Sequence, residues 1–308
     1  MKVHRLVVGL ATALSVALFS ASTAVAQTRI AEQYAEPVSR IIAEATSEKT
    51  ASDAWNRVAE LTDKYPGRMS GSANLEAAIE WTVGLMKRDG LENVRVDPVK
   101  VPHWVRGTES AAIVGDHAQP LVMVALGGSV GTGPAGLEAP VLVVRSFEEL
   151  EARSAEVRGK IVVFNPTYDE TIDPRMAYRS ATQYRGGGAS RAAAHGAVAA
   201  LVRSAGPIGH RIPHTGGMRY ADGAPRIPAV ALAAEDAALL QRMQDRGAPI
   251  TIHLKLGAQM LPEADSGNVI AELAGRERPE EIVLLACHLD SWDITPGALD
   301  NGGGCVAM

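Results

Sequence analysis

The sequence predicts an α/β fold in which a frame of helices and sheet is interrupted by a small β-rich module. Three observations predict it. Residues 28–64 are rich in Ala and Glu with apolar residues at helical intervals; from about Gly107 the texture changes to short β-type runs between Gly- and Pro-rich turns; and Ile282–Ala286 is a continuous apolar run of the kind found in strands covered on both faces.

Taken in order, residues 1–26 begin with Lys2 and Arg5, continue uncharged from Leu6 to Ala26 and end on Ala24-Val25-Ala26. That pattern predicts a signal peptide cleaved before Gln27. An uncleaved anchor is the alternative, since about 20 apolar residues can span a bilayer; the interrupting Ser and Thr and the small-residue ending favour cleavage. No later apolar run is long enough to span, so the expectation is an exported protein, periplasmic or extracellular, with no membrane contact after cleavage.

Ile41, Ile42 and Ala45, then Trp55, Val58 and Leu61, mark two helices divided near Ser47–Ala51, and Tyr65-Pro66-Gly67 ends the second. Ser72 is the expected N-cap of a third helix with Leu75, Ile79, Val83 and Met86 on the face that packs on a sheet, and Gly90 closes it. Val94–Val101 reads as a strand whose phase shifts at Asp97-Pro98, an edge or a bulge. The β-rich stretch contributes strands at 111–114, 121–125, 141–144, 160–164, 198–202, 228–232 and 250–256, with one or two helices. Pro262–Gly267 reads as a return linker, followed by strands at 268–273 and 282–287 joined by the charged turn Gly275–Glu280.

The bulk numbers exclude some function classes. With 46% hydrophobic and 21% charged residues in 308, the chain has the composition of a globular protein, and a net charge of -5 with Lys and Arg scattered gives no footprint for nucleic acid. The two cysteines, Cys287 and Cys305, supply no disulfide framework. They read as small buried packing residues rather than as a pair.

The chemistry concentrates near His288. It sits just beyond Ile282–Ala286, where open α/β sheets place ligands. In extended backbone His288 and Asp290 point the same way, so Asp290 can accept a hydrogen bond from the imidazole and aim the other ring nitrogen at a metal. Asp300, in the turn Gly297-Ala298-Leu299-Asp300-Asn301-Gly302, is a carboxylate that could bridge two cations. Either motif alone is weak; ten residues apart they support each other.

Other motifs read as structure. Gly131–Gly136 spells G-x-G-x-x-G, but Pro134 and the β-type Pro140–Val144 leave no helix to receive a pyrophosphate, so a β-turn is expected. Gly186–Ser190 opens a helix without the Lys of a P-loop. His195, His210 and His214 read as a solvated loop rather than a second metal site. Arg68 and the Pro102-His103-Trp104 triplet stay open between substrate or dimer contacts and ordinary packing.

Together G-R-M-S-G-S at 67–72, V-P-H-W-V-R-G at 101–107, R-G-K-I-V-V-F-N at 158–165, P-H-T-G-G-M at 213–218, H-L-D-S-W-D at 288–293 and G-A-L-D-N-G-G-G at 297–304 resemble the carboxypeptidase Q type (plasma glutamate carboxypeptidase) of co-catalytic zinc exopeptidase, related to aminopeptidase Y. The resemblance implies a zinc-exopeptidase domain, a mixed sheet flanked by helices, in residues 27–106 and 258–308, with residues 107–257 an inserted protease-associated domain. It implies two Zn2+ per complete site, His288 as a ligand of one, Asp300 as the bridging carboxylate, Asp290 orienting His288, and a cis peptide at Asp300-Asn301. It also implies small peptide substrates, dipeptides favoured, and a homodimer.

The same resemblance puts a catalytic Glu and further Glu, Asp and His ligands after the bridging Asp, whereas the eight residues after Asp300 include no acid. The expectation is therefore a truncated site that lacks its general base, inactive by itself. Two other readings remain at this point: an aminopeptidase of the same architecture, and a non-catalytic module that binds a peptide or protein.

Overall fold

The structure is a computed structural model, and it describes residues 31–308; the signal peptide expected at 1–26 lies outside the described residues. The described residues divide into two units, one formed by residues 31–64 with Ala298–Met308, the other by Tyr65–Gly297.

In the first unit, residues 31–45 form helix α1 and Glu48–Lys64 form α2, broken where Ser47 accepts from the Thr50 amide. α2 packs against the wide turn Ala298–Gly302 and the short helix that follows it, Gly303–Ala307. Leu61 is fully buried, whereas Trp55 of the expected apolar face is exposed.

The second unit opens with α3, Ala73–Arg88. Ser72 caps it, its hydroxyl accepting from the Leu75 amide, and Gly90 follows the last turn with φ +81°. Leu75, Ala78 and Ile79 are buried, and the helix lies against a two-stranded antiparallel ribbon of β1, Glu92–Val105, and β10, Gln259–Glu272. In a two-stranded ribbon β1 is an edge strand, one of the two alternatives expected at Asp97-Pro98; no bulge lies there, since the register runs unbroken through Asp97↔Asn268 and Pro98↔Gly267, with irregularities at Glu92/Arg95 and Val101/His103. One expectation is corrected here. Residues 262–267 are strand rather than linker, because β1 supplies them with a complete hydrogen-bonding partner.

Between the two ribbon strands, an eight-stranded sheet runs in the order β3-β2-β9-β5-β6-β7-β8-β4. Its strands are β2 Glu109–Val114, β3 Gln119–Leu121, β4 Met123–Ala125, β5 Leu137–Val144, β6 Ile161–Phe164, β7 Ala199–Arg203, β8 Ala229–Leu232 and β9 Thr251–Leu256. β5 to β8 are parallel and the flanking pairs antiparallel, so the sheet is mixed. Strand alternation sorts the core. Ile161, Val163, Leu201 and Leu232 face a cluster with Leu240 and Met243 of α6 (Ala234–Asp245); Val162, Phe164 and Val202 face Phe147 and Leu150 of α4 (Phe147–Ala152) and Tyr184 of α5 (Pro174–Ala194). Burial on both faces is why these strands are uniformly apolar.

The module carries three helices, more than the expected one or two. The misread signal is Gly186–Gly188, which lies inside the 21-residue α5 instead of opening a helix. The true start is Asp173, which caps the Arg175 amide ahead of Pro174 at the first helical position. Gly188 is small because Phe164 occupies the space its side chain would need. Gly131–Gly136 is a turn, closed by the Gly136 amide donating to the Gly133 carbonyl at 3.2 Å.

The main correction concerns 282–287. Among the described residues this run pairs with no strand, and Ile282, Val283 and Leu284 are more than four-fifths exposed. A continuous apolar run marks burial on both faces only where neighbouring strands are present to cover it, so His288 does not stand at the end of a sheet strand here. Nor are the cysteines fully buried packing residues: Cys287 and Cys305 are each only partly buried and in disulfide linkage.

Candidate metal centre

The segment from His288 to Gly297 has almost no regular structure, yet it is held at nearly every residue. The holder is Arg68, which is fully buried. Its Nε donates to the Leu289 carbonyl at 2.8 Å, one terminal nitrogen donates to the Pro296 and Tyr65 carbonyls at 2.8 and 2.9 Å, and the other donates to the Gly297 carbonyl at 3.2 Å. The backbone completes the grip. The Ser291 amide donates to the Arg68 carbonyl at 2.9 Å, the Arg68 amide donates to Ser291 Oγ at 3.1 Å, and the Gly67 amide donates to the Thr295 carbonyl at 3.1 Å.

Gly67 has φ +61°, and any Cβ there would meet the Asp293 carbonyl oxygen at 2.6 Å, so only glycine fits this approach. A planar guanidinium is the one side chain that can present a fork of donors to carbonyls from both ends of a loop. Burial lowers the Arg68 pKa, and the Asp290 carboxylate opposes that shift.

A second arginine fixes the far side. Arg106, just past the end of β1, makes a bidentate pair with Asp293, Nε to Oδ2 and a terminal nitrogen to Oδ1, both at 2.7 Å. Its other terminal nitrogen donates to the Ala125 carbonyl at 2.6 Å, and its guanidinium lies 5.1 Å from the Trp104 ring centroid. Trp104 is itself buried and donates from Nε1 to the Ser129 carbonyl at 2.9 Å. The Trp292 ring fills the space above Gly127.

At the head of this segment, His288 Nδ1 lies 3.2 Å from Asp290 Oδ1 and 3.1 Å from the Asp290 carbonyl oxygen. Both neighbours are acceptors, so Nδ1 carries the proton. Both side chains are about half exposed. Asp300 lies in the other unit, in the wide turn Ala298–Gly302, with φ −118° and ψ 92° and a cis peptide to Asn301. Among the described residues no group of three or more His, Cys, Asp or Glu is assembled that could hold a metal ion. The donor chemistry of the His288–Asp290 pair, an imidazole backed by a carboxylate, is of the kind that zinc takes.

The remaining histidines do different work. His195 Nε2 is 3.0 Å from Glu151 at the end of α5. His214 packs at a tilt against Tyr178, with centroids 5.5 Å apart, and, with Arg185, Arg203 and Ser204, lines a cavity of about 10 Å³, room for one water. Desolvation, then the nearby Arg185 guanidinium, lowers the His214 pKa. Sequence reasoning left Arg68 undecided and did not single out Arg106 or Asp293. Their only local signal is a charged residue set among glycines and aromatics.

Residues 268–308, which contain His288, Asp290 and Asp300, match the model of Peptidase family M28. Over most of its length the chain is homologous to carboxypeptidase Q: the mouse protein is 44% identical over 271 residues, 88% of this chain and 56% of its own length, and the cattle protein 46% over 256 residues, 83% and 53%. A crystal structure of a Peptidase M28 precursor from Shewanella amazonensis superposes with a TM-score of 0.79 at 35% identity, covering 89% of this chain and 60% of that one. A zinc aminopeptidase from Bacillus subtilis shares the fold, with a TM-score of 0.58 at 21% identity over 83% of this chain and 55% of that one. The chain thus spans a little over half the length of the curated relatives it matches. Among the described residues no helix is long and apolar enough to cross a membrane.

Proposed function

We propose that this chain contributes to a zinc-dependent exopeptidase of the carboxypeptidase Q kind, a hydrolase acting on dipeptides or other small peptides. The observation that carries the reading is the His288–Asp290 pair, carboxylate 3.2 Å from Nδ1, inside the segment that matches Peptidase family M28.

In this reading Nε2 of His288 is the metal-binding nitrogen and Asp290 fixes its tautomer and raises its basicity. Asp300 would supply a further carboxylate to the metal. Bound zinc would supply an acidified water and a Lewis acid for the scissile carbonyl. The residues after Asp300 include no acid, so no proton transfer is assigned to them. Residues 107–257 are read as a protease-associated insert, 27–106 and 258–308 as peptidase domain, and 1–26 as an export signal. A homodimer completes the proposal.

The test is hydrolysis by the protein isolated from its native source. Unblocked dipeptides should be cleaved, and chelation should abolish cleavage. Preference for aminoacyl chromogenic amides would replace this reading with the aminopeptidase one, which the B. subtilis likeness favours. Zinc-loaded protein that cleaves neither substrate would overturn the hydrolase reading and leave a binding module. Asp290→Asn should weaken zinc binding by about 10- to 100-fold.

A further inference from the structure

We infer that Arg68 and Arg106 are positioning residues that hold the His288 arm in its metal-binding form before any metal arrives. The inference rests on the role proposed for His288, but its first readout does not need zinc.

Residues 289–297 belong to no strand and no α-helix, and a loop of this kind would ordinarily sample many conformations, each fixed residue costing conformational entropy. Something must offset that cost if His288 and Asp290 are to sit in one geometry. Arg68 gathers the carbonyls of Leu289, Pro296 and Gly297, which closes the loop at its two ends with a single side chain. Arg106 grips the middle through the bidentate pair with Asp293.

The two arginines come from different places in the chain. Arg68 precedes α3 and Arg106 follows β1, where it also ties the loop to the Ala125 carbonyl of β4. Both are more than nine-tenths buried, so neither is placed to touch a substrate directly. Within the segment their bonds end on the Leu289, Pro296 and Gly297 carbonyls and on the Asp293 carboxylate, between one and seven residues from the His288–Asp290 pair. That proximity, with burial, makes them positioning groups. They act through the backbone that carries the ligand.

Lysine in place of arginine separates position from charge. A lysine keeps the positive charge but offers one point of donation where Arg68 makes four contacts, and it cannot reproduce the paired geometry toward Asp293. Arg106→Lys and Asp293→Asn are the milder variants, used alongside Arg68→Lys in case the latter folds poorly. Three measurements on the full chain decide the matter: the His288 tautomer in metal-free protein by long-range proton–nitrogen correlation, zinc affinity by competition with a chromophoric chelator, and thermal unfolding of the same samples.

The expected result is a single Nδ1–H tautomer for His288 in the wild type, a mixture of tautomers in each variant, and zinc affinity about 10- to 100-fold weaker where unfolding is still cooperative. Folded variants that keep the wild-type tautomer would overturn the inference, whatever their zinc affinity. A wild type with the ordered tautomer, lost in the variants, but with no zinc affinity would leave the positioning role of Arg68 and Arg106 standing and bring down the proposed function instead.

Discussion

Arg68 shows how much one residue can settle and how little of that is local. Its guanidinium serves carbonyls at separations of 221, 228 and 229 residues, all of them backbone groups that any sequence would offer. Arg68→Met orphans buried acceptors, each worth about 1–3 kcal/mol, so the variant should lose about 3 kcal/mol or more by denaturant unfolding. A loss under about 1 kcal/mol would mean that water replaces the guanidinium. No pattern in the chain could have revealed those partners, whereas the two-residue spacing of His288 and Asp290 is visible in the sequence, and the structure sets Nδ1 3.2 Å from Oδ1 although residues 288–290 form no strand. His214 gives the pH prediction. Its folded pKa lies below the ordinary 6.5, so the folded state resists protonation. Its contribution is complete above about pH 6.5 and is lost as pH falls through the folded value. His214→Gln should therefore flatten the acid-side decline in thermal stability, and an unchanged slope would count against the desolvated setting.

Elements were legible where local chemistry and tertiary setting agree. The strands of the eight-stranded sheet are short apolar runs between turn residues, and α3 carries its own cap in Ser72 and its own stop in Gly90. α5 was read short because three glycines interrupt a sequence that packing nonetheless keeps helical. That gives a paired test. A Cβ at Gly187 meets nothing within 4 Å, whereas one at Gly188 comes within 2.9 Å of the Phe164 ring. Gly187→Ala should stabilise by about 0.5–1 kcal/mol, and Gly188→Ala should destabilise despite the same helix-propensity gain. Equal effects would mean that the α5–β6 contact is slack. The run 282–287 failed in the opposite sense, since its apolar residues specify a strand but no neighbour among the described residues pairs with it.

At the scale of the molecule, that same run leaves Ile282, Val283, Leu284 and Leu285 all at least 66% exposed, a contiguous apolar stretch of the kind that drives association. Val283→Glu should lower self-association of this chain in light scattering while leaving its melting temperature unchanged, and no change in scattering would remove the run as the cause. A different feature governs how the large sheet is attached. The chain enters the sheet at Gly107 and leaves it at Gly257, and these residues touch: a Cβ on Gly107, whose φ is +67°, would meet the Gly257 backbone at 2.6–2.9 Å, and the Gly257 amide donates to the Thr108 carbonyl at 2.8 Å. Entry and exit form a single doorway one peptide wide, at the end of the β1–β10 ribbon. The ribbon is fastened to the sheet beside that doorway as well, by Trp104 donating to the Ser129 carbonyl and Arg106 to the Ala125 carbonyl, so the threshold works as a seam and not as a hinge.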